Sequence, residues 1–106
     1  MVKKVNTCVF ISGRGSNLRS IIMNSRDYNF PIVIKLIISN NKYASGIKYA
    51  KKYNIPYIFI NSKNWIRFEK SCLVEINKRK IKFLCLAGFM KILSKDFIKN
   101  FRNKII

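Results

Sequence analysis

The chain has 106 residues, of which 49% are hydrophobic and 13% aromatic, which suits one folded domain and excludes an intrinsically disordered protein. Its formal net charge is +18, from 22 Lys and Arg against four acidic residues. No run approaches the ~18 apolar residues that a membrane-spanning helix needs. Histidine is absent and the three cysteines lack CxxC spacing, so the common zinc motifs are excluded as well.

The elements follow in chain order as alternating strands and helices. Apolar, β-branched runs predict strands at residues 4–11, 32–39, 55–60 and 81–88, and apolar residues at helical spacing predict helices at 18–26, 44–53, 64–80 and 94–101. Continuously apolar strands that alternate with helices indicate an α/β fold, a parallel sheet with helices on both faces. A fifth strand could begin at the C-terminus, and the open apolar edge there predicts self-association.

The positive charge has two explanations. Lys, Ile and Asn make up 46 of the 106 residues, and all three have A/T-rich codons, so a biased genome would produce this composition without any functional reason. A nucleic-acid partner is the alternative, but a nucleic-acid footprint should cluster, and the lysines are spread along the chain. The three cysteines lie in apolar segments and are predicted to be buried free thiols, as in a cytoplasmic protein.

The segment SGRGSN, residues 12–17, joins the first strand to the first helix. Gly13 and Gly15 would permit positive φ and close approach of a ligand, while Ser16 and Asn17 can cap the helix and donate hydrogen bonds. Unpaired N–H groups at a helix N-terminus favour an anion, and the pattern lacks the Walker lysine. The segment therefore favours a phosphate monoester over a nucleoside triphosphate, although an ordinary glycine-containing turn remains the alternative.

Three blocks, VFISGRGSNLRSII, IISNN and LAGFMKILS, resemble glycinamide ribonucleotide formyltransferase in order and spacing. The resemblance implies a Rossmann-like, formyltransferase-like fold and transfer of a formyl group from 10-formyltetrahydrofolate to glycinamide ribonucleotide in purine synthesis. It places the ribonucleotide phosphate on Gly15, Ser16 and Asn17. It also assigns the folate side to Arg67 and to the loop that contains Met90, Lys91, Ile92 and Leu93, although Arg67 could instead pair with Glu69 or Glu75.

The resemblance covers about the first half of the family, so residues 1–106 are expected to be the phosphate-binding N-terminal part of a formyltransferase domain. The family takes its catalytic Asn, His and Asp from a later segment, and no residue of this sequence is assigned a catalytic role. None of the four acids lies in either ligand loop. We therefore expect the chain alone to be inactive, and either a fragment of a full enzyme or a non-catalytic phosphate-binding remnant.

Overall fold

A computed structural model of the chain describes residues 3–13, 16–89, 93–101 and 104–105, with Ser16, Lys104 and Ile105 described by their backbone. The strands are β1 (Val5–Ile11), β2 (Ile32–Ser39), β3 (Tyr57–Phe59), β4 (Phe83–Leu86) and β5 (Lys104–Ile105). The helices are α1 (Ser16–Ser25), α2 (Ile47–Lys52), α3 (Trp65–Lys78) and α4 (Lys95–Asn100).

The described strands form one parallel sheet in the order β3-β2-β1-β4-β5. The first three strands follow one another outward in one direction, and the chain then crosses back to place β4 on the other side of β1. The prediction of a parallel α/β sheet is confirmed. The strand order reverses between β1 and β4, and open sheets of this kind bind ligands at the carboxyl edge beside that reversal.

Two helices cover each face of the sheet. Alternate residues of each strand point to opposite faces, so each strand contributes side chains to both layers. On one face, Cys8 and Phe10 of β1 pack with buried residues of α3 and α4, among them Phe68 and Phe97. On the other, Val9 and Ile11 pack with α1 and α2, through residues that include Leu18, Ile22 and Ala50. All of β1 from Cys8 to Ile11 is fully buried, as a central strand should be.

The face that α1 and α2 cover is incomplete over β4. A cavity of about 290 Å³ lies there, beside α1. Its lining residues are almost all apolar: Ile21, Asn24, Phe30, Pro31, Ile32, Phe83 and Cys85. Phe83 and Cys85 are only half-buried, whereas Leu84, which points to the opposite face, is fully buried.

Several predicted elements were too long, among them the fourth strand, which spans Phe83–Leu86 rather than residues 81–88. The third strand begins at Tyr57 rather than Ile55, because the Ile55 N–H bonds back to Ala50 O and Pro56 has no N–H to donate. The second helix begins at Ile47 rather than Ala44, because the N–H groups of Ile47, Lys48 and Tyr49 bond to carbonyls only three residues back, in tight turns. Its predicted end is confirmed, since Asn54 has a left-handed φ of 55°.

Candidate functional site

Two loops begin side by side where the strand order reverses. The loop that the sequence predicts to bind a phosphate, which we call the phosphate loop (residues 12–17), follows β1, and the second loop (residues 87–94) follows β4. Phe10 and Leu86 are partners in the ladder between these two strands, so both loops leave the same edge of the sheet side by side. The sequence placed both glycine-bearing segments after strand ends, and the sheet order brings them together.

Polar groups that follow β2 brace the phosphate loop. The Ser12 hydroxyl donates to Asn40 Oδ1 at 2.8 Å, and Asn41 Nδ2 donates to Ser12 O at 3.2 Å. The Gly46 N–H donates to Gly13 O at 3.2 Å. The Asn40–Asn41 pair was predicted to close the second strand and belongs to the block IISNN, but no bracing role was predicted for it. That role could have been predicted, because the parallel strands β1 and β2 are neighbours and their carboxyl ends lie at the same edge of the sheet.

Asn41 is itself fixed, which makes the brace firm. The buried Ser39 hydroxyl donates to Asn41 O at 2.6 Å, and Asn41 Oδ1 accepts the Tyr43 N–H at 3.0 Å. The Asn40 side chain also reaches Ser62, with Nδ2 3.4 Å from Oγ. The loop therefore rests on a polar network at the edge of the sheet and not on apolar packing.

Gly13 corrects one expectation from the sequence. Among the described glycines, only Gly88 has a positive φ, so Gly13 does not adopt the left-handed conformation. A Cβ added at Gly13 would meet no heavy atom within 4 Å. Open space on the loop backbone, and not an unusual φ, is therefore what glycine provides at this position. Gly15 lies outside the described residues.

Helix α1 directs its N-terminus at the phosphate loop. Asn17 is exposed in the first turn, whereas Leu18 and Ile22 anchor the helix in the core. The first turn contains no acidic residue, so no carboxylate competes there for the unpaired N–H groups. The opposite end is neutralised by Lys4, whose Nζ donates to Ser25 O and Asp27 O at 2.8 and 2.7 Å. The side chain of Ser16 lies outside the described set.

The second loop is attached to the core at both ends. Gly88, with φ 70°, turns the chain after β4. Phe89 then packs edge-on against Phe10, with ring centroids 5.2 Å apart, and stacks with Phe68 of α3 at 6.0 Å. At the other end Leu93 is 7% exposed and belongs to the same core. Of the predicted folate residues, Met90, Lys91 and Ile92 lie outside the described residues.

Glu69 of α3 holds the far end of the second loop. It is 7% exposed, and its Oε2 and Oε1 accept the Ser94 N–H at 2.7 Å and the Ser94 hydroxyl at 2.5 Å. Ser94 Oγ in turn accepts the Phe97 N–H at 3.1 Å, so Ser94, the first residue of the predicted helix, is the N-cap of α4. A buried carboxylate is therefore fully used in joining α3 to the start of α4.

Arg67 is exposed on the first turn of α3, after an N-cap formed by Asn64. The two carboxylates that were considered as its partners are engaged elsewhere, since Glu69 binds Ser94 and Glu75 binds Arg79 at 2.6 Å. Trp65 stacks on Phe68 at 4.7 Å and lies 6.3 Å from Phe89. Trp65 and Phe68 are therefore the α3 side chains beside the beginning of the second loop.

The cysteines are free, and burial makes them poor nucleophiles. Burial raises the pKa of Cys8 well above its ordinary value and, together with the Glu69 carboxylate, raises the pKa of Cys72 to about 12. Burial also raises the pKa of Cys85, which is half-buried. Within the described part of the chain, no group of His, Cys, Asp and Glu is arranged to hold a metal ion.

Similarity to known proteins identifies the family of this chain. The sequence model for the formyl transferase family ("Formyl transferase") matches residues 5–106, nearly the whole chain. The chain belongs to the formyl transferase family. The predicted resemblance is therefore confirmed at the level of the family, as is the Rossmann-like sheet.

Individual relatives agree. The chain is 36% identical over 107 residues to the human trifunctional purine biosynthetic protein adenosine-3, covering 98% of this chain and 11% of that protein. It is 32% identical to phosphoribosylglycinamide formyltransferase of Haemophilus influenzae, covering 99% of this chain and 50% of that protein. The chain thus spans about a tenth of the first relative and half of the second.

The fold matches solved structures of the same kind. The phosphoribosylglycinamide formyltransferase of Brucella melitensis superposes with a TM-score of 0.91 at 28% identity, over 97% of this chain and 55% of that one. The corresponding protein of Anaplasma phagocytophilum gives a TM-score of 0.84 at 32% identity, over 97% and 48%. Among the described residues, no helix is long and apolar enough to cross a membrane.

Proposed function

We propose that this chain is the ribonucleotide-binding part of a phosphoribosylglycinamide formyltransferase. The full reaction would transfer a formyl group from 10-formyltetrahydrofolate to the amine of glycinamide ribonucleotide, in purine (IMP) synthesis. Membership of the formyl transferase family and the names of its relatives support this proposal. The observation that carries it is the pair of loops side by side at the carboxyl edge, where the strand order reverses.

The ribonucleotide phosphate would bind the phosphate loop through Gly15, Ser16 and Asn17. Three features of the described residues support this. The loop leads directly into the N-terminus of a ten-residue helix without acids in its first turn, Asn17 is exposed there, and the backbone at Gly13 has open space beside it. These particular residues are assigned by the resemblance of the segment SGRGSN and its flanks to glycinamide ribonucleotide formyltransferase.

The folate side would be formed by Arg67 and by Met90, Lys91, Ile92 and Leu93. Because the Leu93 side chain is buried in the core, its contribution would come from its backbone. Trp65 packs against Phe89 and is a further candidate on this side. The folate co-substrate itself would bring the reacting formyl carbon. Formyl transfer from a folate needs no metal.

Catalysis would depend on residues outside this sequence. Attack of an amine on a formyl group needs a proton shuttle with a pKa near neutrality and a donor for the oxyanion. Glu69 and Glu75 are engaged with Ser94 and Arg79, Asp27 follows α1, and Asp96 lies in the first turn of α4. We therefore propose that residues 1–106 bind the ribonucleotide without transferring the formyl group, as the N-terminal part of a formyltransferase domain.

Glycinamide ribonucleotide binding tests this proposal, with Asn17→Ala as the variant and Lys91→Ala as the matched control. Loss of one hydrogen bond to a charged phosphate costs about 1.5–3 kcal/mol, roughly ten- to a hundredfold in affinity. Calorimetric titration should show that loss for Asn17→Ala and unchanged affinity for Lys91→Ala, with circular dichroism the same in both. Equal affinity in wild type and Asn17→Ala would refute the phosphate assignment.

Two further expectations accompany the proposal. The incomplete face over β4 and the short edge strand β5 would promote self-association, which size-exclusion chromatography at increasing protein concentration measures.

Free cysteines with raised pKa suit a reducing compartment such as the cytoplasm. The family match does not favour the alternative of a basic nucleic-acid-binding protein.

A further inference from the structure

Four lysines surround a concave surface at the amino edge of the sheet, opposite the candidate site. A cavity of about 480 Å³ is lined there by Lys3, Lys4, Val5, Asn6, Lys80 and Lys82, and we call it the lysine cavity. The lysines come from two separate parts of the sequence, the approach to β1 and the turn between α3 and β4. The scattered distribution that the sequence suggested therefore does not hold at this edge.

Hydrogen bonds hold the turn that carries Lys80 and Lys82. Lys80 has a left-handed φ of 53°, its N–H donates to Asn77 O, and its carbonyl accepts Asn6 Nδ2 at 3.3 Å. The Lys82 N–H donates to Asn6 O at 2.9 Å, which ties the turn to the start of β1. The backbone positions of these two lysines are thus set by hydrogen bonds before any ligand arrives.

The positive charge of the lysine cavity is not neutralised within the described part of the chain. The ion pairs described there join Glu75 to Lys78 and Arg79, on the last turns of α3, and leave Lys3, Lys80 and Lys82 without a carboxylate. Lys4 differs, because its Nζ binds carbonyls at the end of α1, as expected for a cation at a helix C-terminus. The lysine cavity is therefore lined by three exposed lysines without a carboxylate partner and by Lys4, whose ammonium group is oriented by its hydrogen bonds.

We propose that the lysine cavity binds a short chain of phosphate groups. Several closely spaced negative charges would relieve the mutual repulsion of the lysines, which a single phosphate would do less well. A concave site of this size fits a compact oligoanion better than it fits the flat surface of a membrane. It also lacks the extended stripe of basic residues that a nucleic acid would need. The site is separate from the phosphate loop, which lies at the other end of the strands.

The test uses inorganic tripolyphosphate and a nucleoside triphosphate as probes of the full 106-residue chain. The variant Lys80→Gln/Lys82→Gln is compared with Lys52→Gln/Lys99→Gln, which removes the same charge from exposed positions on α2 and α4. We expect saturable tripolyphosphate binding that falls about tenfold in the first variant and changes little in the second. The slope of log affinity against log salt should fall by about one for each phosphate-binding lysine removed.

Backbone amide shifts locate the binding and separate this proposal from the proposed function. Tripolyphosphate should shift the amides of Val5, Asn6 and Lys82, and Asn17→Ala should leave those shifts unchanged. Equal binding of both probes would mean that the phosphate chain alone is recognised, and tighter binding of the nucleotide would mean that its base contributes. Equal losses in the two double variants, shifts confined to the phosphate loop, or tight binding only of a long single-stranded RNA would overturn the proposal.

Discussion

The two loops at the carboxyl edge are held by different kinds of contact. The phosphate loop rests on hydrogen bonds with Asn40, Asn41 and the buried Gly46, at the carboxyl edge of the sheet. The second loop is attached through burial, by Phe89 and Leu93 in the core and by a carboxylate that is 7% exposed. A polar brace leaves backbone and side-chain donors accessible to an anion, whereas a buried attachment fixes where a loop begins and ends.

This difference predicts that damage to the attachment of the second loop costs stability, whereas damage to the phosphate loop costs binding. Glu69→Ala should have the largest effect, because it leaves the Ser94 N–H without its partner and removes two hydrogen bonds to a charged group. We expect a loss of about 3 kcal/mol in the free energy of unfolding, measured by urea denaturation. Glu69→Gln, which retains one acceptor, should lose about half as much. Equal stability of Glu69→Ala and wild type would show that this attachment is unimportant.

The two described loop glycines provide a matched pair of substitutions. Gly88→Ala forces an L-residue into φ 70° and should cost about 1–2 kcal/mol of stability. Gly13→Ala should leave stability nearly unchanged, because the added Cβ meets no atom within 4 Å and the φ is ordinary. It should instead weaken binding of glycinamide ribonucleotide by occupying the open space on the loop. Thermal denaturation and calorimetric titration of both variants measure the two effects, and the reverse pattern would contradict the comparison.

The brace on the phosphate loop is tested by Asn41→Ala. This change removes the hydrogen bonds to Ser12 O and from the Tyr43 N–H, while the buried Ser39 still holds the Asn41 carbonyl. We expect a loss of about 1 kcal/mol in stability together with weaker ribonucleotide binding. Asn61→Ala is a suitable control, since Asn61 accepts a similar N–H, from Lys63, at another strand end. If both variants weakened binding equally, the brace would have no specific role.

The smallest effect concerns pH and lies away from both loops. The Arg79 guanidinium holds the pKa of Glu75 below its ordinary value, with desolvation opposing it and Lys78 assisting. A depressed carboxyl pKa contributes stability that is present above the unfolded-state pKa of about 4.3 and is lost as pH falls through the lower folded-state pKa. Urea denaturation between pH 6 and pH 3, roughly spanning that range, should therefore show a smaller acid-induced loss in Glu75→Gln than in wild type. An identical pH dependence would mean that the pair contributes nothing.

The sequence predicted the elements of the fold well where burial alone decides them. The continuous run IVIKLIIS became β2 with the predicted bounds, and Ser94, the first residue of the predicted helix, caps α4. It failed where particular hydrogen bonds decide, as at the start of α2, where the Ile47 and Lys48 N–H groups bond three residues back and the Gly46 N–H donates to Gly13 O across the sheet edge. The pattern of a single chain does not record which backbone groups meet across a sheet edge.

The candidate site was predictable in location and less so in its supports. Glycines after two strands marked the loops, but Glu69 was considered only as a partner of Arg67, because its actual partner Ser94 lies 25 residues away. Lysines 3, 4, 80 and 82 also gave no sign of proximity, since the turn after α3 and the start of β1 meet only in the folded sheet.

We propose that the loop after β1 holds the phosphate of the ribonucleotide, and amide shifts on titration with glycinamide ribonucleotide test this most directly. We expect saturable shifts of the Gly13, Asn17 and Leu18 amides that disappear in Asn17→Ala, with the amides of Asn6 and Lys82 unmoved. Shifts that survive in Asn17→Ala, or that appear only at the amino edge of the sheet, would contradict it.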